Sequence, residues 1–223
     1  MRNICRIALS CLAFVAFVGA SGCSSSPEKV AGKDHDPAPV ASRAEDVRPL
    51  EVGRKVPPAR IYTIEGEAAD IREVSRRKPT VLIFYRGGWC PYCSTHLGEL
   101  GAVEEDLRRA GYQIIAVSPD RPKYLQSALK EEEYGYTLMS DYEANAIRAF
   151  GLAFRVGIET FQTYRSKGLD LEERSGSRHH ILPVPAAYVV DEAGVIRFAY
   201  WNPDYKERVD VDELLRAARR ARE

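Results

Sequence analysis

The chain is short of net charge, of cysteine and of long apolar runs, and each shortage removes a class of function. Its 32 Lys and Arg balance 32 Asp and Glu, for a formal net charge of zero. Without a surplus of either sign there is no general attraction for nucleic acid or an anionic surface, and nucleic acid is excluded as a partner. The apolar stretch Ile7 to Val18 is too short to span a bilayer comfortably. There is no internal repeat. Histidine occurs four times and cysteine five, at Cys5, Cys11, Cys23, Cys90 and Cys93. What the chain does have is a core: 45% of its 223 residues are hydrophobic, ordinary for one or two globular domains.

The N-terminus reads as an address. Arg2 and Arg6 precede the apolar stretch, and Gly19-Ala20-Ser21-Gly22 leads into Cys23. This layout resembles a bacterial lipoprotein signal, which implies cleavage after residue 22 and lipidation of Cys23; ordinary secretory cleavage nearby is the alternative. Residues 23–49 are rich in Ser, Pro, Ala and charge, too poor in large apolar side chains to offset ordering entropy. They are expected to tether a domain over 50–223 to a membrane, outside the cytoplasm (periplasmic in a Gram-negative envelope). Only Cys90 and Cys93 then remain as thiols in the domain. A disulfide framework is excluded, and a bridge across so short a loop stabilises little, so chemistry is the better explanation of the pair.

The order of elements points to an α/β fold. Thr80–Tyr85 is a β-branched and aromatic run that reads as a buried strand. Pro91–Ala110 carries Leu97, Leu100, Val103 and Leu107 at helical spacing, and Gly111 ends it. Tyr112–Val117 is a second buried strand, so the three form a βαβ unit with parallel strands. A helix over 123–132, a strand over 137–139 and a helix over 143–150 follow. Residues 187–190 and 195–200 read as a hairpin, and Asp210 caps a last helix with Val211, Leu214, Leu215 and Ala218 inward. A βαβ half followed by a ββα half predicts a thioredoxin-like fold, a central mixed sheet flanked by helices. Residues 154–182 are an insertion, with Ile158, Phe161 and Tyr164 suggesting a turn or two of amphipathic helix.

Residues 85–93 read Tyr-Arg-Gly-Gly-Trp-Cys-Pro-Tyr-Cys. The pair sits where a strand ends and a helix begins, and the free amides and partial positive charge of a helix start favour thiolate over thiol. Pro91 suits the first helical turn. Attack by one thiolate, a mixed disulfide and resolution by the other cysteine is the chemistry this predicts. A zinc site would draw on His96, His179, His180 or carboxylates for its remaining ligands. Arg86 is read as stabilising thiolate charge, or else as solvated. Trp89 shields one face of the dithiol or belongs to the core. His179 and His180 either reach the site or are solvated in a charged loop.

The segment from Phe84 to Cys93 resembles the peroxiredoxin-like branch of the alkyl hydroperoxide reductase and thiol-specific antioxidant family. Gly53 to Pro57, Val117-Ser118-Pro119-Asp120, Pro183-Val184-Pro185-Ala186, Val190-Asp191 with Gly194, Asp204-Tyr205 and Arg208 match as well. The resemblance spans about residues 50–220. It implies that Pro185 is the cis-proline of thioredoxin folds, exposing the Val184 backbone to a substrate; a loop break before a strand is the plainer reading. It also implies that Cys93 stands at the position of the peroxide-reacting cysteine, with Cys90 in place of the Thr or Ser three residues earlier. Arg86 then replaces a proline, and no arginine around residues 185–189 matches the one peroxiredoxins hold beside the thiolate. The site thus mixes peroxidase and disulfide-exchange features.

The sequence is therefore read as a membrane-tethered thiol–disulfide oxidoreductase of the peroxiredoxin-like type with no bound cofactor. Its partners would be protein thiols, disulfides or hydroperoxides and a thioredoxin-like electron donor. A hydroperoxide reductase with Cys93 attacking the peroxide is the alternative. A copper-delivery thioredoxin-fold protein ranks below both, because such proteins usually space their cysteines by three residues.

Overall fold

The computed structural model describes residues 39–131 and 135–222. The leader, Cys23 and the tether up to residue 38 lie outside them. After a short 3-10 turn at Ala44–Asp46 come two three-residue strands, β1 (Arg60–Tyr62) and β2 (Ala68–Asp70), followed by helix α1 (Ile71–Ser75). Asp70 starts α1 by accepting the Arg72 and Glu73 amides. Next come β3 (Thr80–Phe84), α2 (Pro91–Arg109), β4 (Gln113–Ser118), α3 (Pro122–Glu131), β5 (Thr137–Ser140) and α4 (Asn145–Ala149). Strands β3, β4 and β5 pair in parallel, as the βαβ reading requires.

The insertion forms β6 (Ala153–Arg155), α5 (Ile158–Ser166), α6 (Leu171–Ser175) and β7 (Ile181–Pro183), and β6 and β7 close it as an antiparallel pair. Phe161 is buried, whereas Ile158 is exposed. The chain ends with β8 (Ala186–Val190), β9 (Ile196–Trp201) and α7 (Val211–Arg220). Asp210 accepts the Glu213 amide at 2.9 Å and caps α7 as expected. The seven-stranded sheet runs β2-β1-β5-β4-β3-β8-β9, with β3 and β4 near its middle.

Alternation along β3 feeds two cores. Val81 and Ile83 face α2 and α7, where Leu97, Leu100 and Leu107 pack with Leu214 and Leu215. Leu82 and Phe84 face the other side, among Ile71, Ile147, Phe150 and Tyr188. A third, smaller cluster of Val156, Phe161, Leu171 and Leu182 belongs to the insertion and receives Trp89 at its edge. Trp89 thus ties the loop before α2 to the inserted helices.

Two expectations are corrected. Residues 40–49 are packed onto the domain rather than loose. Ala41 exchanges backbone hydrogen bonds with Ala153 and Arg155, Arg48 and Leu50 donate to Gly151 and Phe150, and Val47 is buried. Pro185 is not a cis-proline, since every peptide bond among the described residues is trans, the form an X-Pro bond ordinarily prefers. Nor does Val184 offer its amide to a substrate: it is buried and donates to the Leu152 carbonyl at 2.9 Å.

The packed N-terminal strap makes a prediction. Gly151 sits at φ +67°, and a Cβ there would stand 1.9 Å from the Arg48 carbonyl oxygen. Gly151→Ala should cost roughly 2–3 kcal/mol, combining left-handed strain with a backbone clash. Denaturant unfolding checks the cost, and limited proteolysis should show faster cleavage around residues 40–50.

Candidate active site

The end of β3 and the start of α2 bury the two cysteines together at the edge of the core beneath α2. Cys90 is the residue that caps α2, Pro91 occupies the first turn, and Cys93 follows within that turn. Both thiols are free and about 1% exposed. The Cys93 S–H donates to Cys90, and together with the Arg86 and Arg208 charges this holds the Cys90 thiol down at about 6, against the opposing effect of burial. The Cys93 thiol is pushed up by that same hydrogen bond and by burial. Both effects favour Cys90 over Cys93 as the thiolate of the pair.

Arg86 is buried at 4% exposure, so the solvated reading of it fails. Its guanidinium lies 4.2 Å from the Tyr205 ring centroid, 5.1 Å from that of Trp89 and 5.8 Å from that of Tyr164. Its Nη2 donates to the Tyr164 hydroxyl at 2.5 Å, and its Nε has no partner. Among the described residues no carboxylate lies within ion-pair distance of it. Its charge, together with that of Arg208, helps lower the Cys90 thiol, behind the larger effect of the Cys93 hydrogen bond.

Arg208 supplies what the sequence left unassigned. It comes from the loop between β9 and α7, not from residues 185–189, and its Nη2 stands 3.4 Å from the Cys93 sulfur. The carbonyls of Tyr205 and Glu207 accept from its Nη1 and hold it there. Its signal was present, because Arg208 and Tyr205 both stand in the matching segments, but only the folded loop shows what they touch.

The loop carrying Arg86 to Trp89 is fastened by Asp120. This carboxylate, 1% exposed, accepts Arg174 Nε at 2.9 Å and Nη2 at 2.7 Å, and the Gly88 amide at 2.9 Å. Burial pushes the Asp120 carboxyl up, while Arg174, the Gly88 amide and the Trp89 indole pull it down. Gly87, at φ +141°, leaves room for this: a Cβ there would stand 2.3 Å from Trp89 Nε1. Arg174 belongs to α6, so the insertion clamps the active-site loop.

The remaining histidines are placed away from the sulfurs' polar contacts. His179 accepts the Ile181 amide on Nδ1, and its Nε2 donates to the Tyr142 carbonyl at 2.9 Å. His180 bonds Glu172 at 2.8 Å and stacks on Phe161, so both are structural parts of the insertion. Among the described residues no three His, Cys, Asp or Glu side chains are grouped to hold a metal ion.

His96 lies one turn after Cys93, buried, with its Nε2 unpartnered. Burial, then the Arg208 charge, lowers its imidazole from 6.5 to about 4. The unfolded chain therefore takes up a proton below pH 6.5 that the folded protein refuses until about 4. Stability from this group is full above that window and is lost as pH falls through it, by up to about 3 kcal/mol. His96→Asn should remove this acid sensitivity. The comparison must be made against the wild type, since burial raises Asp141 to about 7 and works in the opposite sense. Urea unfolding of both proteins across the window checks it.

A family model described as the AhpC/TSA family matches residues 52–199. Peroxiredoxin Bcp of Escherichia coli strain K12 is 24% identical over 106 residues, covering 48% of this chain and 67% of that protein. The chloroplastic peroxiredoxin Q of Populus jackii is 25% identical over 164 residues, covering 73% of this chain and 65% of that protein. The crystal structure of peroxidoxin BcpB from Mycobacterium tuberculosis shares the fold with a TM-score of 0.59. It is 15% identical and covers 78% of this chain and 99% of that one.

Proposed function

The chain belongs to the AhpC/TSA family, and on that premise we propose that it is an envelope-tethered thiol–disulfide oxidoreductase with Cys90 as nucleophile and Cys93 as resolving residue. The observation that carries this is the placement of Cys90 at the start of α2, where hydrogen bonds from Cys93 and then the Arg86 and Arg208 charges hold its thiol down against the effect of burial. The Cys90 thiolate attacks one sulfur of a substrate disulfide, forms a mixed disulfide and releases the other sulfur as a thiolate. Cys93 then loses its proton and attacks the Cys90 sulfur, closing the Cys90–Cys93 bond and releasing the second substrate thiol. Two electrons pass from the dithiol to the substrate, and a thioredoxin-like donor returns them. The lipoprotein-like leader at Cys23 supports a membrane-anchored, extracytoplasmic location.

A second reading has its own observation, Arg208 at 3.4 Å from the Cys93 sulfur. There Cys93 attacks a hydroperoxide, releases the alcohol or water and becomes a sulfenic acid. Cys90 condenses with it, expelling water and forming the same disulfide. Stopped-flow mixing of reduced protein with hydrogen peroxide, followed by tryptophan fluorescence, separates the two. The disulfide-exchange reading predicts a rate like that of a free thiol. A rate orders of magnitude faster, lost with Cys93→Ser, would establish the peroxidase instead.

A further inference from the structure

Beside the dithiol, the N-terminal strap, α5 and the loop after β9 enclose a groove of about 230 Å³, lined by Arg86, Phe154, Thr160, Tyr164, Pro185 and Tyr205. It is smaller than the usual ligand cavity of about 300–1,000 Å³ and suits a compact ligand. Its lining is mixed, with Phe154, Tyr164, Tyr205 and prolines beside Thr160 and Glu45, and it includes the buried Arg86, whose Nε is unpartnered. The carboxylate in the lining, Glu45, is exposed and accepts from Arg43 Nε at 3.2 Å. We propose that this groove is a subsite for the carboxylate of a small organic acid, seated on Arg86, and that it binds the disulfide form of the protein more tightly than the dithiol form.

This subsite rests on the dithiol reading, and its redox preference follows from the charge at the site. In the dithiol form the Arg86 guanidinium and the Cys90 thiolate attract each other. Closing the Cys90–Cys93 bond removes that negative charge and leaves a buried cation with only π faces and the Tyr164 hydroxyl for company. A carboxylate restores the missing anion and matches the guanidinium fork, while the apolar body of the acid meets Phe154 and the proline wall. In the dithiol form the same carboxylate would meet the thiolate's repulsion. By linkage, an acid that prefers the disulfide form must also make that disulfide harder to reduce.

Calorimetric titration of the diamide-oxidised and the dithiothreitol-reduced protein with hexanoate, at neutral pH, tests this, with hexan-1-ol as the uncharged control. Hexanoate is expected to bind the disulfide form roughly tenfold or more tightly than the dithiol form, from the removal of one nearby charge, and hexan-1-ol to show no such preference. Tenfold corresponds to a dithiol–disulfide potential lowered by about 30 mV at saturating hexanoate, read against dithiothreitol, which carries no carboxylate. Arg86→Gln should abolish the preference, and Thr160→Trp, which fills the groove from α5, should abolish binding. Equal affinity for the two forms, a preference shared by hexan-1-ol, or binding that survives Thr160→Trp overturns the subsite alone. Failure of the oxidised protein to lose two hydrogens at Cys90 and Cys93 by mass spectrometry overturns the dithiol reading and the subsite together.

Discussion

Cys90→Ser abolishes thiol–disulfide exchange, with a fall of at least about a thousandfold toward the rate of an ordinary buried thiol. The size of the loss follows from where the charge sits. With its thiol held down at about 6, Cys90 is mostly thiolate at neutral pH. Cys93 is pushed up and stays protonated, so it cannot take over as attacker. A serine hydroxyl in its place is a far weaker nucleophile. Arg86→Gln acts more gently: without the guanidinium the Cys90 thiol rises, and a rise of one unit from about 6 roughly halves the thiolate at neutral pH, slowing exchange by about twofold. Cys93→Ser keeps the attack and stops the resolution. It should accumulate a mixed disulfide on Cys90, seen as the mass of the bound half of a small aromatic disulfide.

Asp120→Ala should unfold the protein more easily by about 3–5 kcal/mol, the usual cost of leaving one half of a buried ion pair unanswered. The cost arises at several points. The Arg174 fork loses both of its acceptors, the Gly88 amide loses the carboxylate it donates to, and the contact that seats Trp89 between α2 and the insertion is lost. In a domain of this size the melting temperature should fall by on the order of 10 °C. Removing both charges together, as Asp120→Ala with Arg174→Met, should cost less than the sum of the single changes, because no buried charge is then left alone. Thermal melts of the three variants measure this coupling. A purely additive result would mean that the pair does not fasten the loop.

The central sheet was legible because its signals are long and local. Thr80–Phe84 and Gln113–Ser118 are continuous apolar runs, and α2 has a full apolar stripe between Pro91 and Gly111. Strands β1 and β2 escaped notice because three residues each, with Arg60 and Asp70 at their ends, show no period. The strap over residues 40–49 looked like a linker because it is held mainly by backbone hydrogen bonds to residues 150–155, which leave no side-chain pattern. At the site, the Cys-x-x-Cys spacing gave the dithiol directly. The environment of Arg86 did not follow from sequence, since Tyr164 is 78 positions away and Tyr205 lies in a loop after the last strand. Separations of 54 and 115 positions hid the grip of Arg174 on Asp120 and the contact of Arg208 with Cys93.

The most direct test of the account is the ultraviolet thiolate titration of the reduced protein, repeated on Cys90→Ser and Cys93→Ser. The account predicts an absorbance step centred near pH 6 that survives in Cys93→Ser, where the serine hydroxyl can still donate, and disappears in Cys90→Ser. A step that survives in Cys90→Ser and is lost in Cys93→Ser would contradict it, placing the thiolate beside Arg208 and the chemistry with the hydroperoxide.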